Sequence, residues 1–227
     1  MTDTTTTIPN WRNLTLDDIS PLQQRGEWST QQYEDALQFY HQLDACTDDD
    51  YLQPHLSQAL EAIEQTYRLY GPDAVWCSFN GGKDAVVLLH LCRAVHAKYY
   101  SKKNQDDTTS TTIIRRPRLL YFASIDEFAA VENYCRQSVA EYDLDLYSLC
   151  VGFGPGLEFL VQQQQQQHFN GPLAFLLGTR QADPNAGKQG VYAPSSNYMA
   201  PFLRVIPLLS WSYGHVWHFL RSFSLPY

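Results

Sequence analysis

The chain has 227 residues, which at roughly 150 residues per domain suits one generous domain with an extension. At 44% hydrophobic, 14% aromatic and 18% charged residues it carries enough apolar material for a core and is too apolar for intrinsic disorder. A formal net charge of −8, from 16 Lys and Arg against 24 Asp and Glu, argues against nucleic acid or an anionic membrane as main partner. Any anion it binds must be held locally.

No apolar run reaches the ~18 residues that a bilayer span needs. Met1 to Asn10 is polar and lacks the basic and apolar regions of a signal peptide. The expectation is a soluble cytoplasmic protein, monomeric and without a membrane partner. The five cysteines include no C-x-x-C pair, and Cys77 and Cys92 lie within apolar runs, which favours plain free thiols over disulfide, zinc ligand or nucleophile.

Residues 1–30 are polar and Thr-rich and lead into helical spacing over Trp28–Tyr40, which the Asp48–Asp50 run interrupts. From Leu56 to Tyr70 apolar residues recur at three and four, predicting a helix with one buried face that Gly71-Pro72 stops. Residues 1–70 thus read as a tail and helical extension, and 71–227 as an α/β domain. Ala74–Phe79 is a β-prone run without alternation. It feeds Asn80-Gly-Gly82 and then an apolar helix from Lys83 to Tyr100, the opening unit of a parallel sheet. Residues 101–112 read as a polar surface insertion.

Arg118–Ala123 is predicted as the second strand, Phe128–Tyr142 as the second helix of the domain, and Leu144–Val151 as the third strand. Gly152–Gly156 then turns into a helix that takes in the glutamine run Gln162–Gln167. Leu173–Leu177 is the fourth strand, closed by Gly178, and Ser212–Phe223 a last helix. Strands alternating with helices in this way predict a doubly wound, mostly parallel α/β sheet with ligands at the carboxyl ends of its strands. The site should collect residues 78–84, 122–128, 152–156 and 178–184.

The strongest local signal is Ser78-Phe79-Asn80-Gly81-Gly82-Lys83-Asp84. Two glycines after a strand let backbone N–H groups and a helix amino end converge on one place, an anion site. Ser78 and Asn80 add neutral donors and Lys83 a positive charge. The Walker loop is excluded, because it needs glycine at position 77 and Ser or Thr at 84, where Cys77 and Asp84 stand. An acid beside a phosphate cradle suggests a Mg²⁺ bridge through Asp84; the alternative is a carboxylate that interacts only with the helix amino end.

This heptad resembles the PP-loop of the adenine-nucleotide α-hydrolase-like superfamily, in the version seen in eukaryotic FAD synthases of the phosphoadenylyl-sulfate-reductase-like type. Gly178-Thr-Arg-Gln-Ala-Asp-Pro184 is similar to that family's G-x-R-x-x-D-P motif. Phe202-Leu-Arg204 through Pro207–Trp211 to Val216–Leu220 resembles its F-[LM]-R-x-x-P-L-L-x-W…[VI]-W-x-F-L stretch. The three motifs cover roughly residues 60–227.

The resemblance implies an FMN adenylyltransferase, which makes FAD and pyrophosphate from FMN and ATP with Mg²⁺. It implies that the loop holds the β- and γ-phosphates, that Asn80 touches the reacting phosphates, and that Asp183 is a catalytic or metal-organising carboxylate. Arg180 can offer a fork of donors to phosphate; a carboxylate pair for Arg180 and a plain turn for Asp183-Pro184 stay open. Arg204 suits a phosphate, a flavin or a structural salt bridge. Asp126 or Glu127 would reach the ribose, with helix capping by Asp126 equally open.

Tyr198 and Trp211 could stack on the flavin or belong to the core, while His215 and His218 read as solvated or core residues rather than zinc ligands. Where the family shows a T-D-x-x-[WY]-P-like approach, Ser195–Ala200 lacks the acid, leaving Asn197 and Tyr198 as the candidate flavin contacts. Relatives continue past the position of Tyr227, so the resemblance implies a chain without their tail. Two alternatives remain: a non-catalytic nucleotide binder, and a reductase-like enzyme, which would need a reactive cysteine beyond Cys150.

Overall fold

A computed structural model describes residues 25–106, 113–123, 127–149, 151–166, 171–184 and 186–227. Two helices come first, α1 (Thr30–Asp44) and α2 (Gln53–Tyr70). Ser29 caps α1 by accepting from the Gln32 N–H, and α2 ends at Gly71. The chain then alternates: β1 (Val75–Ser78), α3 (Lys83–Asp106), β2 (Arg118–Phe122), α4 (Ala129–Glu141), β3 (Asp145–Leu149), α5 (Phe153–Gln166) and β4 (Leu173–Leu176). The hairpin β5 (Tyr192–Pro194) and β6 (Phe202–Val205) follows, and α6 (Tyr213–Ser222) closes the molecule.

The sheet has six strands in the order β3-β2-β1-β4-β6-β5, parallel except for β5, which runs antiparallel to β6. It is the doubly wound, mostly parallel arrangement that the alternation predicts. Strand order reverses between β1 and β4, so a crevice opens there at the strands' carboxyl ends.

Alternate residues of each strand feed two cores. Val75, Cys77, Leu119, Ala174 and Leu176 face α2, α3 and α6, and residues of α1 join the same core. Trp76, Leu120, Leu173 and Phe175 face Leu157, Leu160 and Val161 of α5. Helix α3 is central. Every residue from Ala85 to Ala97 is buried, as expected of a helix that is apolar nearly all round. At about 1.5–3 kcal/mol per buried Val or Leu side chain, this helix is the main apolar anchor of the loop that precedes it.

Three boundaries differ from the sequence reading. Helix α3 continues through the start of the expected insertion, over a stretch where Lys102 lies 3.7 Å from Glu64 of α2. The turn expected at 152–156 is instead the first turn of α5, beyond β3 and two strands from β1. Strand β5 was not expected; three residues ending in proline suit only a sheet edge. No helix among the described residues is long and apolar enough to cross a membrane.

Candidate active site

At the switch point, Ser78 ends β1 and the chain turns at Asn80–Gly82 into the amino end of α3. Asn80 Oδ1 accepts from the Gly82 N–H at 3.1 Å, which tightens the turn. Gly81 has φ +73°, the left-handed region that favours glycine, and a Cβ there would lie 3.1 Å from Cys135 Sγ. Across the crevice Gly178 follows β4. A Cβ on it would stand 3.2–3.3 Å from the backbone of Asp84 and Ala85, so glycine lets the two walls approach. The cleft between them, about 370 Å³, is lined by Ser78, Asn80, Gly82, Asp84, Ala85, Leu177, Gly178, Thr179 and Asp183.

Its charges form a chain. The Arg180 guanidinium lies between two carboxylates: Nε is 3.0 Å from Asp84 Oδ1 and Nη2 donates to Asp183 Oδ1 at 2.9 Å. The Arg180 backbone N–H also donates to Asp183 Oδ2 at 2.7 Å. Lys83 Nζ pairs with Asp84 Oδ2 at 2.7 Å. Asp84 thus sits between two cations. Its Oδ1 is buried and, although close to Arg180 Nε, makes no aligned hydrogen bond among the described residues, so the contact with Arg180 is Coulombic. Among carboxylate alternatives, Asp84 is bound to side chains rather than only to its helix end.

The structure sorts the remaining sequence candidates. Phe79 is fully buried in the core under α3, so its side chain is removed from the cleft; strand-like alternation runs one residue past β1 and turns it inward. Among the described residues Arg204 pairs with no carboxylate, and it does not line the cleft: its Nη2 donates to the Pro194 carbonyl at 2.7 Å and ties β6 to β5. Asn197 and Tyr198 stand in the β5–β6 turn, at the amino end of β6, whereas the loop stands at the carboxyl end of β1. Tyr198 is 89% exposed. Asp126 lies outside the described residues; Phe128 stands at the N-cap position of α4 and makes no side-chain capping bond. Glu127 accepts from the Tyr121 hydroxyl at 3.2 Å.

Trp211 is a core residue whose Nε1 donates to the His55 carbonyl at 3.2 Å. His215 closes a capping box with Ser212, and His218 pairs with Asp49 at 2.6 Å. Two residues near the cleft were not singled out by the sequence: Thr179, a variable position of the Gly178–Pro184 motif that stands on the cleft wall, and Tyr213, outside any motif, whose ring lies under the Lys83 ammonium, 5.2 Å from Nζ to its centroid. Among the described cysteines, burial pushes the Cys135 thiol up to about 11 and that of Cys92 well above its ordinary value, with Cys77 beside it adding to the effect. Neither is poised as a nucleophile. A larger hollow of about 650 Å³, by Asp48–Tyr51 and His218, has neither a glycine turn nor a Lys or Arg in its lining.

No protein-family model matches the chain. It is 27% identical over 177 residues to a probable FAD synthase of Schizosaccharomyces pombe, spanning 78% of this chain and 62% of that relative. With a probable FAD synthase of Caenorhabditis briggsae it shares 30% identity over 175 residues, 76% of this chain and 30% of the other. Among solved structures, the Candida glabrata FMN adenylyltransferase in complex with FAD and inorganic pyrophosphate superposes with a TM-score of 0.66 at 21% identity. That match covers 84% of this chain and 67% of the other. Yeast FAD synthetase in complex with FAD gives 0.65 at 19% identity, over 84% and 66%. The chain therefore spans less than two thirds of the curated relatives it matches; over that span it is similar in sequence to probable FAD synthases and in fold to the FMN adenylyltransferase structure.

Proposed function

We propose that the chain is an FMN adenylyltransferase, which joins the AMP part of ATP to FMN and releases pyrophosphate. The observation that carries the proposal is the crevice at the β1–β4 switch point. There a glycine turn and a helix amino end face an Asp84–Arg180–Asp183 chain whose guanidinium is buried.

In the reaction a phosphate oxygen of FMN attacks the α-phosphorus of ATP. The bond from that phosphorus to the bridging oxygen breaks, and its electron pair leaves with pyrophosphate. No protein nucleophile is required, only alignment and charge neutralisation. The N–H groups of the turn and of the first turn of α3 would hold the β- and γ-phosphates, with Lys83 adding a cation. Ser78, Asn80 and Thr179 would donate to phosphate oxygens from the cleft walls. Arg180 acts as a positioning residue, holding Asp84 and Asp183 toward one another.

The donor set fits Mg²⁺. Asp84 Oδ1 is a buried oxygen without a hydrogen bond among the described residues, and Asp183 adds a second carboxylate within reach of the same guanidinium. Mg²⁺ typically takes one or two carboxylates and completes its shell with water and substrate phosphates. Asp84 and Asp183 would hold it, and when bound it supplies neutralisation of the charge that builds on the leaving pyrophosphate.

Incubation with FMN, ATP and Mg²⁺, followed by chromatography, should yield FAD and pyrophosphate in equal amounts. Folded protein that yields neither would refute the enzyme. A second reading, a nucleotide binder without turnover, is favoured by the position of Asn197, Tyr198 and Arg204 outside the cleft. Calorimetric ATP binding without FAD formation would support it, and turnover excludes it.

A further inference from the structure

We propose that Tyr213 is a positioning residue for Lys83, holding its ammonium at the mouth of the phosphate loop; this rests on the reading of Lys83 as a phosphate contact. Lys83 opens α3, and its ammonium has two described neighbours. One is Asp84 Oδ2 at 2.7 Å, the other the Tyr213 ring, with its centroid 5.2 Å away. A cation over an aromatic face within about 6 Å is attracted by the ring quadrupole. The lysine stem is long and flexible. With Asp84 as sole partner the ammonium is free to swing around one carboxylate; a ring on another side restricts it to a single arc.

Tyr213 is 60% exposed, so its ring is not placed there by burial. It is placed by the end of α6. Ser212 Oγ accepts from the His215 N–H at 3.2 Å and His215 Nδ1 accepts from the Ser212 N–H at 3.0 Å. Trp211 Nε1 donates to the His55 carbonyl, and Tyr51 Oη lies 3.4 Å from Ser212 Oγ. Trp211 and Ser212, just before Tyr213, are thereby tied to α2 and to the α1–α2 connection, and the His215 ring after it lies 4.0 Å from that of His55, centroid to centroid. Far from the loop in sequence, this clamp presents an aromatic face to its only lysine. The helical extension thus acts on the phosphate site through α6.

The test compares the protein with Tyr213→Phe and Tyr213→Leu. Two readouts are taken: acylation of Lys83 by a succinimidyl ester, quantified by peptide mass spectrometry, and kcat and KM for ATP in FAD formation. A cation–π contact at a partly exposed site corresponds to a factor of about two to five. Tyr213→Leu should therefore label Lys83 about two- to five-fold faster and raise KM for ATP by a similar factor, with kcat little changed. Tyr213→Phe, which keeps the ring, should restore both. Should leucine disturb the fold, as judged by melting temperature, Tyr213→Gln takes its place with the same expectation.

Equal labelling in all three proteins overturns the proposal, as does a Tyr213→Phe protein that behaves like Tyr213→Leu, or faster labelling with KM unmoved. Ring-dependent labelling in a protein that forms no FAD leaves the Lys83–Tyr213 contact standing and refutes the adenylyltransferase instead.

Discussion

The first turn of α3 and its middle handle charge in opposite ways. At the first turn, Lys83 and Asp84 are roughly a quarter exposed and neighbour opposite charges at the edge of a cleft. Two turns on, His90, Arg93 and His96 are buried. Arg93 donates to Gln32 Oε1 at 3.0 Å and stacks on Tyr142, its guanidinium carbon 3.9 Å from the ring centroid. His96 Nε2 lies 2.7 Å from the Arg115 carbonyl. Yet His90 Nε2, His96 Nδ1 and Arg93 Nε have no hydrogen-bond partner among the described residues. Burial pushes both histidines down to about 3, and Arg93 down to about 10. One helix therefore keeps charge available to a ligand at its end, while in its middle it holds two histidines neutral and seals its arginine against Gln32 and Tyr142. Changes at the end should reach activity first, and changes in the middle stability first.

The sharpest way to break this contrast is Asp84→Ala. It should lower FAD formation by about 10²-fold or more, the scale of a lost transition-state electrostatic contact, while the melting temperature moves by a few degrees at most. An Asp84→Ala protein that turns over normally would end the metal-holding role. Arg180→Leu comes next, because it leaves Asp84 and Asp183 facing each other without their cation. A roughly ten- to hundred-fold loss is expected, with partial recovery in Arg180→Lys; equal losses in both would mean that the bridging fork, not the charge, is what counts.

Gly178→Ala tests the close approach of the cleft walls. The added methyl must push against the backbone of Asp84 and Ala85, which should destabilise by about 1–3 kcal/mol in urea unfolding and lower activity with it. Unchanged stability would show that the walls can part.

The middle of the helix predicts a pH effect. Because the folded pKa values of His90 and His96 lie below their ordinary 6.5, the unfolded chain takes up protons that the folded one refuses. Stability from this source is complete above about pH 6.5 and falls as pH drops toward 3, by up to ~1.4 kcal/mol per unit for each histidine. Urea titrations between pH 7 and 4 should show this slope, and His90→Phe should make it shallower by about one proton. The smallest effect belongs to Asp49→Asn. The His218 hydrogen bond holds the Asp49 carboxyl below its usual range, but the pair is partly exposed and its loss should cost under ~1 kcal/mol.

How far each feature was legible in the sequence follows from what leaves a mark on residue type. A positive φ at Gly81 and a backbone contact at Gly178 both demand glycine, so the two walls of the cleft could be read. The parallel sheet could be read from apolar runs closed by glycine. The Arg180 bridge could not, because any carboxylate within reach would have satisfied the guanidinium and only the β1–β4 pairing selects Asp84. The burial of the Phe79 side chain could not be read either, because a motif does not say which of its side chains turn inward. Asn197 and Tyr198 were assigned to the flavin by resemblance, which is silent on which end of β6 their turn occupies. Tyr213 left no trace, since an exposed tyrosine at a helix start is unremarkable until the folded chain brings Lys83 over it.

The burial of α3 from Ala85 to Ala97 has a thermodynamic corollary for the loop ahead of it. Amides in that helix should be among the slowest in the molecule to exchange with deuterium, so the donors of the glycine turn project from one of its least mobile parts. Ligand capture there would require little ordering of the chain, and conformational entropy lost on binding would be small.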